Sequence, residues 1–131
     1  NLVFAFFLWR CILMATEMTL KELKKKEEEY SEELKKLEDR RAQLEKRISE
    51  LKKRLDELRG QFRKARDMYE AYRIEKEMYD LSRRISPLEN EMSELDRRIK
   101  GLKTSLEKVR KDIKFLEFQR RSVWVREEGG S

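Results

Sequence analysis

Two clusters of ionisable side chains are where this chain could do chemistry. Glu27, Glu28, Glu29, Glu32 and Glu33 crowd carboxylates together, although a helix this rich in both charges generates such neighbours by composition alone. Between Arg97 and Arg121, ten basic residues (Arg97, Arg98, Lys100, Lys103, Lys108, Arg110, Lys111, Lys114, Arg120 and Arg121) meet only Glu107, Asp112 and Glu117, a local balance of +7. With Phe115, Phe118 and Trp124 close by in sequence, that run suits phosphates or an acidic protein surface, Lys108, Arg110, Lys111 and Lys114 being the anion-binding set. The preferred reading is plainer: the cations pair with Glu27–Glu33 of another chain or face water, and the carboxylates are a solvated helix face.

The inventory closes off most other chemistry. Histidine is absent and Cys11 is the single cysteine, so an intrachain disulfide, a Cys/His zinc site and an imidazole-dependent triad are excluded. There is no glycine-rich phosphate loop, no E-x-x-H pair and no serine-based catalytic motif. The expectation is therefore a protein that is not an enzyme and has no catalytic residue, metal, cofactor or small-molecule substrate. The overall charge of +6 permits an anionic partner without demanding one.

Charged residues make up 46% of the chain and apolar ones 38%, a mixture that folds only if the apolar residues form a narrow stripe. They do. Apolar residues alternate at steps of three and four from Leu20 to Tyr79. Of the 18 a and d positions in this frame, only Glu27, Arg41 and Lys76 are not apolar. A second frame runs from Ile74 through Met78, Leu81, Ile85, Leu88, Met92, Leu95, Ile99, Leu102, Leu106, Val109 and Ile113 to Leu116. It is two residues out of step with the first, which swings the stripe by roughly 200° on one helix. Between 68 and 81 both stripes are occupied, so that segment is expected to be a hub covered on two sides, with its tyrosines packed against neighbouring helices.

Thr19-Leu20-Lys21-Glu22 has the form of a capping box, and Ser86-Pro87-Leu88-Glu89 that of a second helix start. The fold class predicted is all-α, with long coiled-coil helices forming an antiparallel helical hairpin broken at Ser86-Pro87. Its segments are residues 1–18 (apolar), 19–84 (first helix), 87–123 (second helix) and 124–131 (a flexible tail). In that register Lys76 meets Asp96 and Glu75 meets Arg98. Residues 19–48 then overhang the second helix and need another chain to cover them. A kinked rod is the alternative, because the second frame passes Pro87 without losing phase. A third arrangement, in which Gly60 ends the first helix, is set aside because Phe62, Ala65 and Tyr69 continue the old frame.

The apolar start "NLVFAFFLWRCILM" has three readings. Residues 1–13 are upstream sequence preceding a start at Met14 or Met18; or residues 1–14 are the end of a membrane anchor; or the stretch is a docking helix. It lacks the basic leader and small-residue cleavage site of a secretory signal. The Lys-rich run that follows favours the cytoplasmic side of an anchored protein.

The function expected is a structural or adaptor coiled coil, cytoplasmic or membrane-associated, that oligomerises and holds partners at a set spacing. Its partner would be a second copy or another coiled-coil protein, docked on Leu34, Leu37, Leu44, Ile48, Leu51, Leu55 and Leu58. Nucleic-acid binding through 97–121 and membrane tethering are the alternatives. In size and pattern residues 19–123 resemble the small bacterial and archaeal coiled-coil proteins, among them the basic helical hairpins that act as stalks in secretion and rotary ATPases; the resemblance assigns no residue a role.

Overall fold

The computed structural model describes residues 1–129, with side chains described as far as Ser122. Two helices of 62 residues each, α1 (Leu2–Arg63) and α2 (Met68–Gly129), account for it, and no strand occurs among the described residues. The fold class is all-α, an antiparallel helical hairpin. The chain reverses, however, at residues 64–67 and not at Ser86-Pro87.

Local hydrogen bonding explains the turn. The N–H groups of Lys64 and Ala65 donate to the carbonyls of Gln61 and Phe62 at 3.1 and 3.2 Å, the i to i−3 pattern that tightens a last helical turn. Asp67 then caps α2: its Oδ1 accepts from the N–H of Glu70 at 2.7 Å, while the Glu70 carboxylate accepts from the N–H of Arg66 at 3.4 Å. No residue takes a positive φ among those described, so the turn needs no glycine. Asp67-Met68-Tyr69-Glu70 is thus the start signature that the structure uses.

Pro87 lies inside α2, on its exposed face. Proline removes one backbone donor there, so the carbonyl of Arg83, four residues back, loses its helical partner and can turn to water. In exchange the stripe of Ile85, Leu88 and Met92 stays in phase with α1. Continuity of burial outweighs the local start signal.

Thr19 does not begin a helix either. Its hydroxyl donates to the carbonyl of Ala15 at 2.9 Å, as threonines within helices do, and residues 2–18 belong to α1. At the other end α2 runs to Gly129 rather than stopping at Val123, so most of the expected tail is helical; Gly130 and Ser131 lie outside the described residues.

The chain comprises two compact units, Lys35–Lys100 and Asn1–Leu34 with Gly101–Ser131. In the first, Ile48, Leu51, Leu55 and Leu58 of α1 pack with Ile74, Leu81 and Ile85 of α2. Ion pairs flank this seam: Arg54 with Glu77 at 3.1 Å, Lys52 with Glu89 at 3.0 Å, Arg40 with Glu91 at 3.0 Å, and Arg41 with Asp96. Asp96 therefore meets Arg41 and not Lys76. The hydrogen bond and charge of Asp96, with Glu45 beside it, hold the Arg41 guanidinium above its ordinary pKa; Glu77 and Glu57 do the same for Arg54. In the second unit Leu20 packs with Val109 and Ile113, and Glu17, Lys24 and Glu27 pair with Arg120, Glu117 and Arg110 at 3.0, 3.5 and 3.5 Å. Such exposed pairs select the register more than they add stability. Glu27 and Arg41, the two charges of the first seam that lie on α1, each face an opposite charge.

Gly60 and Gly101 both sit in helix interiors where an added Cβ would meet nothing within 4 Å. Gly60→Ala and Gly101→Ala should each raise the unfolding free energy by about 1 kcal/mol. Urea titration followed by circular dichroism reads this directly, and a loss of stability would mean that the backbone at that residue departs from a regular helix.

Candidate functional site

The predicted docking seam is covered within the chain. Leu37, Leu44, Ile48, Leu51, Leu55 and Leu58 are buried and Leu34 is half-buried. The overhang expected for residues 19–48 is absent, because moving the turn from Ser86-Pro87 to residues 64–67 gives the two helices equal length and supplies α2 residues to cover α1. These side chains hold the hairpin together.

The basic segment is partly occupied by internal ion pairs. Arg110 pairs with Glu27 and Lys111 with Glu107 at 3.5 and 3.2 Å; Arg97 sits 3.8 Å from Glu94 and Arg120 is 3.0 Å from Glu17. Arg98, Lys100 and Lys103 also have partners. Lys108 and Lys114 are exposed, and Lys114 lines a shallow groove with Leu34, Lys103, Leu106, Arg110 and Lys111. The pairing expected between this run and Glu27 of another chain occurs inside one chain. Phe115 and Phe118 are exposed, and the side chain of Trp124 lies outside the described residues.

Among the described residues, two further apolar surfaces stand open besides Phe115 and Phe118. The first is residues 2–18, where Leu2, Val3, Phe4, Phe6, Phe7, Leu8, Ile12, Met14 and Met18 are all exposed, Leu2 at 90% and Phe7 at 64%. At about 100° per residue these side chains point all round the helix, whereas from Leu20 onward apolar residues keep to one stripe. Within α1, near the N-terminus, an 18-residue window is apolar enough to cross a membrane, and none of it is buried. Its only charges are Arg10, which lies 5.8 Å above the Phe6 ring, and Glu17.

The second open surface is the aromatic part of the expected hub. Ile74 and Leu81 are buried against α1, but Met68, Tyr69, Tyr72 and Tyr79 are exposed, Tyr69 at 78%. The hub is covered on one side only. Tyr69, Tyr72, Lys76 and Tyr79 follow one another at steps of three and four, nearly opposite the buried stripe of Ile74, Met78, Leu81 and Ile85. Arg83 lies 5.8 Å above the Tyr79 ring. The signal for this surface was the persistence of the first heptad frame beyond the last residue that α2 covers.

Among the described residues no polar or charged side chain is buried, and no three His, Cys, Asp or Glu side chains are placed to hold a metal ion. What these surfaces offer is apolar contact, rimmed by charge. No protein-family model, no curated protein and no solved structure matches this chain.

Proposed function

We propose that this chain is a structural adaptor, a helical hairpin tethered to a lipid bilayer through residues 2–18. The observation that carries the reading is the exposure of Leu2, Val3, Phe4, Phe6, Phe7, Leu8, Ile12, Met14 and Met18 over most of the circumference of that segment, only Trp9 and Leu13 among its large apolar side chains being half-buried. A protein groove needs one apolar stripe from a docked helix, and lipid needs all of it.

The energetic balance identifies the residue that limits insertion. On an insertion scale the eight Leu, Ile, Phe and Val side chains of residues 2–13 contribute roughly −2 to −5 kcal/mol in total, and a central arginine opposes them with about 3 kcal/mol. Arg10 therefore nearly cancels the gain unless its guanidinium reaches the headgroups along its own alkyl stem. Lys21, Lys24, Lys25 and Lys26 lie just beyond, where anionic headgroups would attract them.

Flotation of the full chain with phosphatidylcholine–phosphatidylglycerol vesicles tests this. Wild type is expected to float, Phe4→Asp with Phe7→Asp to lower the bound fraction about tenfold, and Arg10→Leu to raise it. A wild-type chain that stays in the bottom fraction, or an aspartate variant that floats as well as wild type, rules the tether out. Nucleic-acid binding is the weaker proposal, since Arg110 and Lys111 of its four-residue set already hold carboxylates.

A further inference from the structure

We infer that the tyrosine stripe on α2 binds a second copy of this chain, antiparallel, across a twofold axis near Glu77 and Met78. This deepens the adaptor reading by naming a partner, and it rests on a different surface from the bilayer tether.

Exposed aromatic residues grouped on one helix face mark an interaction surface, since soluble monomers rarely leave such patches open. Here the face is flanked by charges that choose its occupant. With the stripe taken as a seam, Tyr69, Lys76 and Arg83 are its a positions and Tyr72 and Tyr79 its d positions. Antiparallel pairing places a against d. About an axis between Glu77 and Met78, Lys76 meets Tyr79 of the second copy and Tyr72 meets its Arg83, so each cation lies on a tyrosine ring. The Arg83–Tyr79 contact within the chain shows that these side chains already adopt that kind of contact.

The flanks agree with the same register. Arg73 falls beside Asp80 of the second copy, and the twofold axis repeats the pair. Glu75 falls beside Ser82, which carries no opposing charge. A parallel arrangement would set Lys76 on Lys76 and Arg83 on Arg83. The antiparallel alignment joins unlike charges; Arg73, Lys76, Asp80 and Arg83 are all exposed, and Arg83 exchanges the Tyr79 ring of its own chain for Tyr72 of the second copy.

The test is sedimentation of the full chain in mild non-ionic detergent, which keeps residues 2–18 dispersed, beside vesicle flotation of the same proteins. Wild type should sediment as a dimer, and Tyr72→Glu with Tyr79→Glu as a monomer of unchanged helicity. Arg73→Asp should weaken the dimer about tenfold, and Arg73→Asp with Asp80→Arg should restore it. In a Cys11→Ser background, mixed Lys76→Cys and Tyr79→Cys chains should form the mixed disulfide in preference to either like pair. A monomeric wild type, a dimer indifferent to the glutamates, a charge swap that fails to rescue, or a dominant Lys76→Cys homodisulfide would each overturn the inference. Flotation of the monomeric variant reports on the tether alone, so the two proposals fail separately.

Discussion

Replacing Leu58 by alanine should lower the unfolding free energy by about 2–5 kcal/mol, the range for a large aliphatic side chain removed from a closed core. Leu58 is 0% exposed and belongs to the cluster with Leu55, Ile74, Leu81 and Ile85. Two helices provide no further layer of structure that could settle into the gap. The measurement is a urea titration, with the midpoint falling and the dependence on denaturant unchanged. Leu34→Ala, at a half-buried position, should cost clearly less. Equal effects at the two positions would mean that the seam is not packed as described, and a negligible effect at Leu58 would remove the closed core altogether.

Pro87→Ala should act in the opposite direction, raising stability by about 2 kcal/mol. Proline in a helix interior costs about 3 kcal/mol relative to alanine, and its stiffening of the unfolded chain returns up to about 1 kcal/mol. Pro87 is exposed inside α2, so the methyl group of alanine faces water and the restored N–H can bond to the carbonyl of Arg83. Thermal melts of the two proteins decide the matter. A destabilised Pro87→Ala would indicate that the backbone geometry imposed by proline is needed to keep Ile85 and Leu88 aligned with α1, and the sign alone separates the cases.

The two helical seams were legible because a period of three and four, kept from Leu20 to Tyr79 and again from Ile74 to Leu116, has few solutions other than packed helices. The signal for the reversal itself was Ser86-Pro87, where the chain does not turn. The buried set, from Leu20 and Leu37 to Val109 and Ile113, follows from that period. The turn was not legible, for two physical reasons. Phe62, Ala65, Tyr69 and Tyr72 carry the first frame across a four-residue reversal, so periodicity reports a helix where the chain leaves one. The reversal also uses Asp67 and Glu70 with negative φ throughout, and so lacks the glycine or proline that ordinarily marks a break. Pro87 supplied a start signal that the tertiary structure overrides, because interrupting α2 there would forfeit burial on both sides of it. At residues 68–81 the two apolar faces were visible in sequence. Only the position of α1 reveals that the face of Ile74 and Leu81 is covered and the face of Tyr69, Tyr72 and Tyr79 is open.

The four-residue turn also sets an order in time. The ion pairs across the hairpin close loops of very different size: 23 residues separate Arg54 from Glu77, 55 separate Arg41 from Asp96, and 103 separate Glu17 from Arg120. Closing the largest of these directly costs about 1.3 kcal/mol more entropy than closing the smallest, so pairing should begin beside Asp67 and zip outward. On a ribosome adding about 5–20 residues per second, Leu20 emerges roughly 4–18 s before Val109 and Ile113, which cover it in the finished protein. For those seconds the seam of α1 is an open apolar stripe beside an apolar N-terminal segment, and whatever shields it then has to let go before α2 can close.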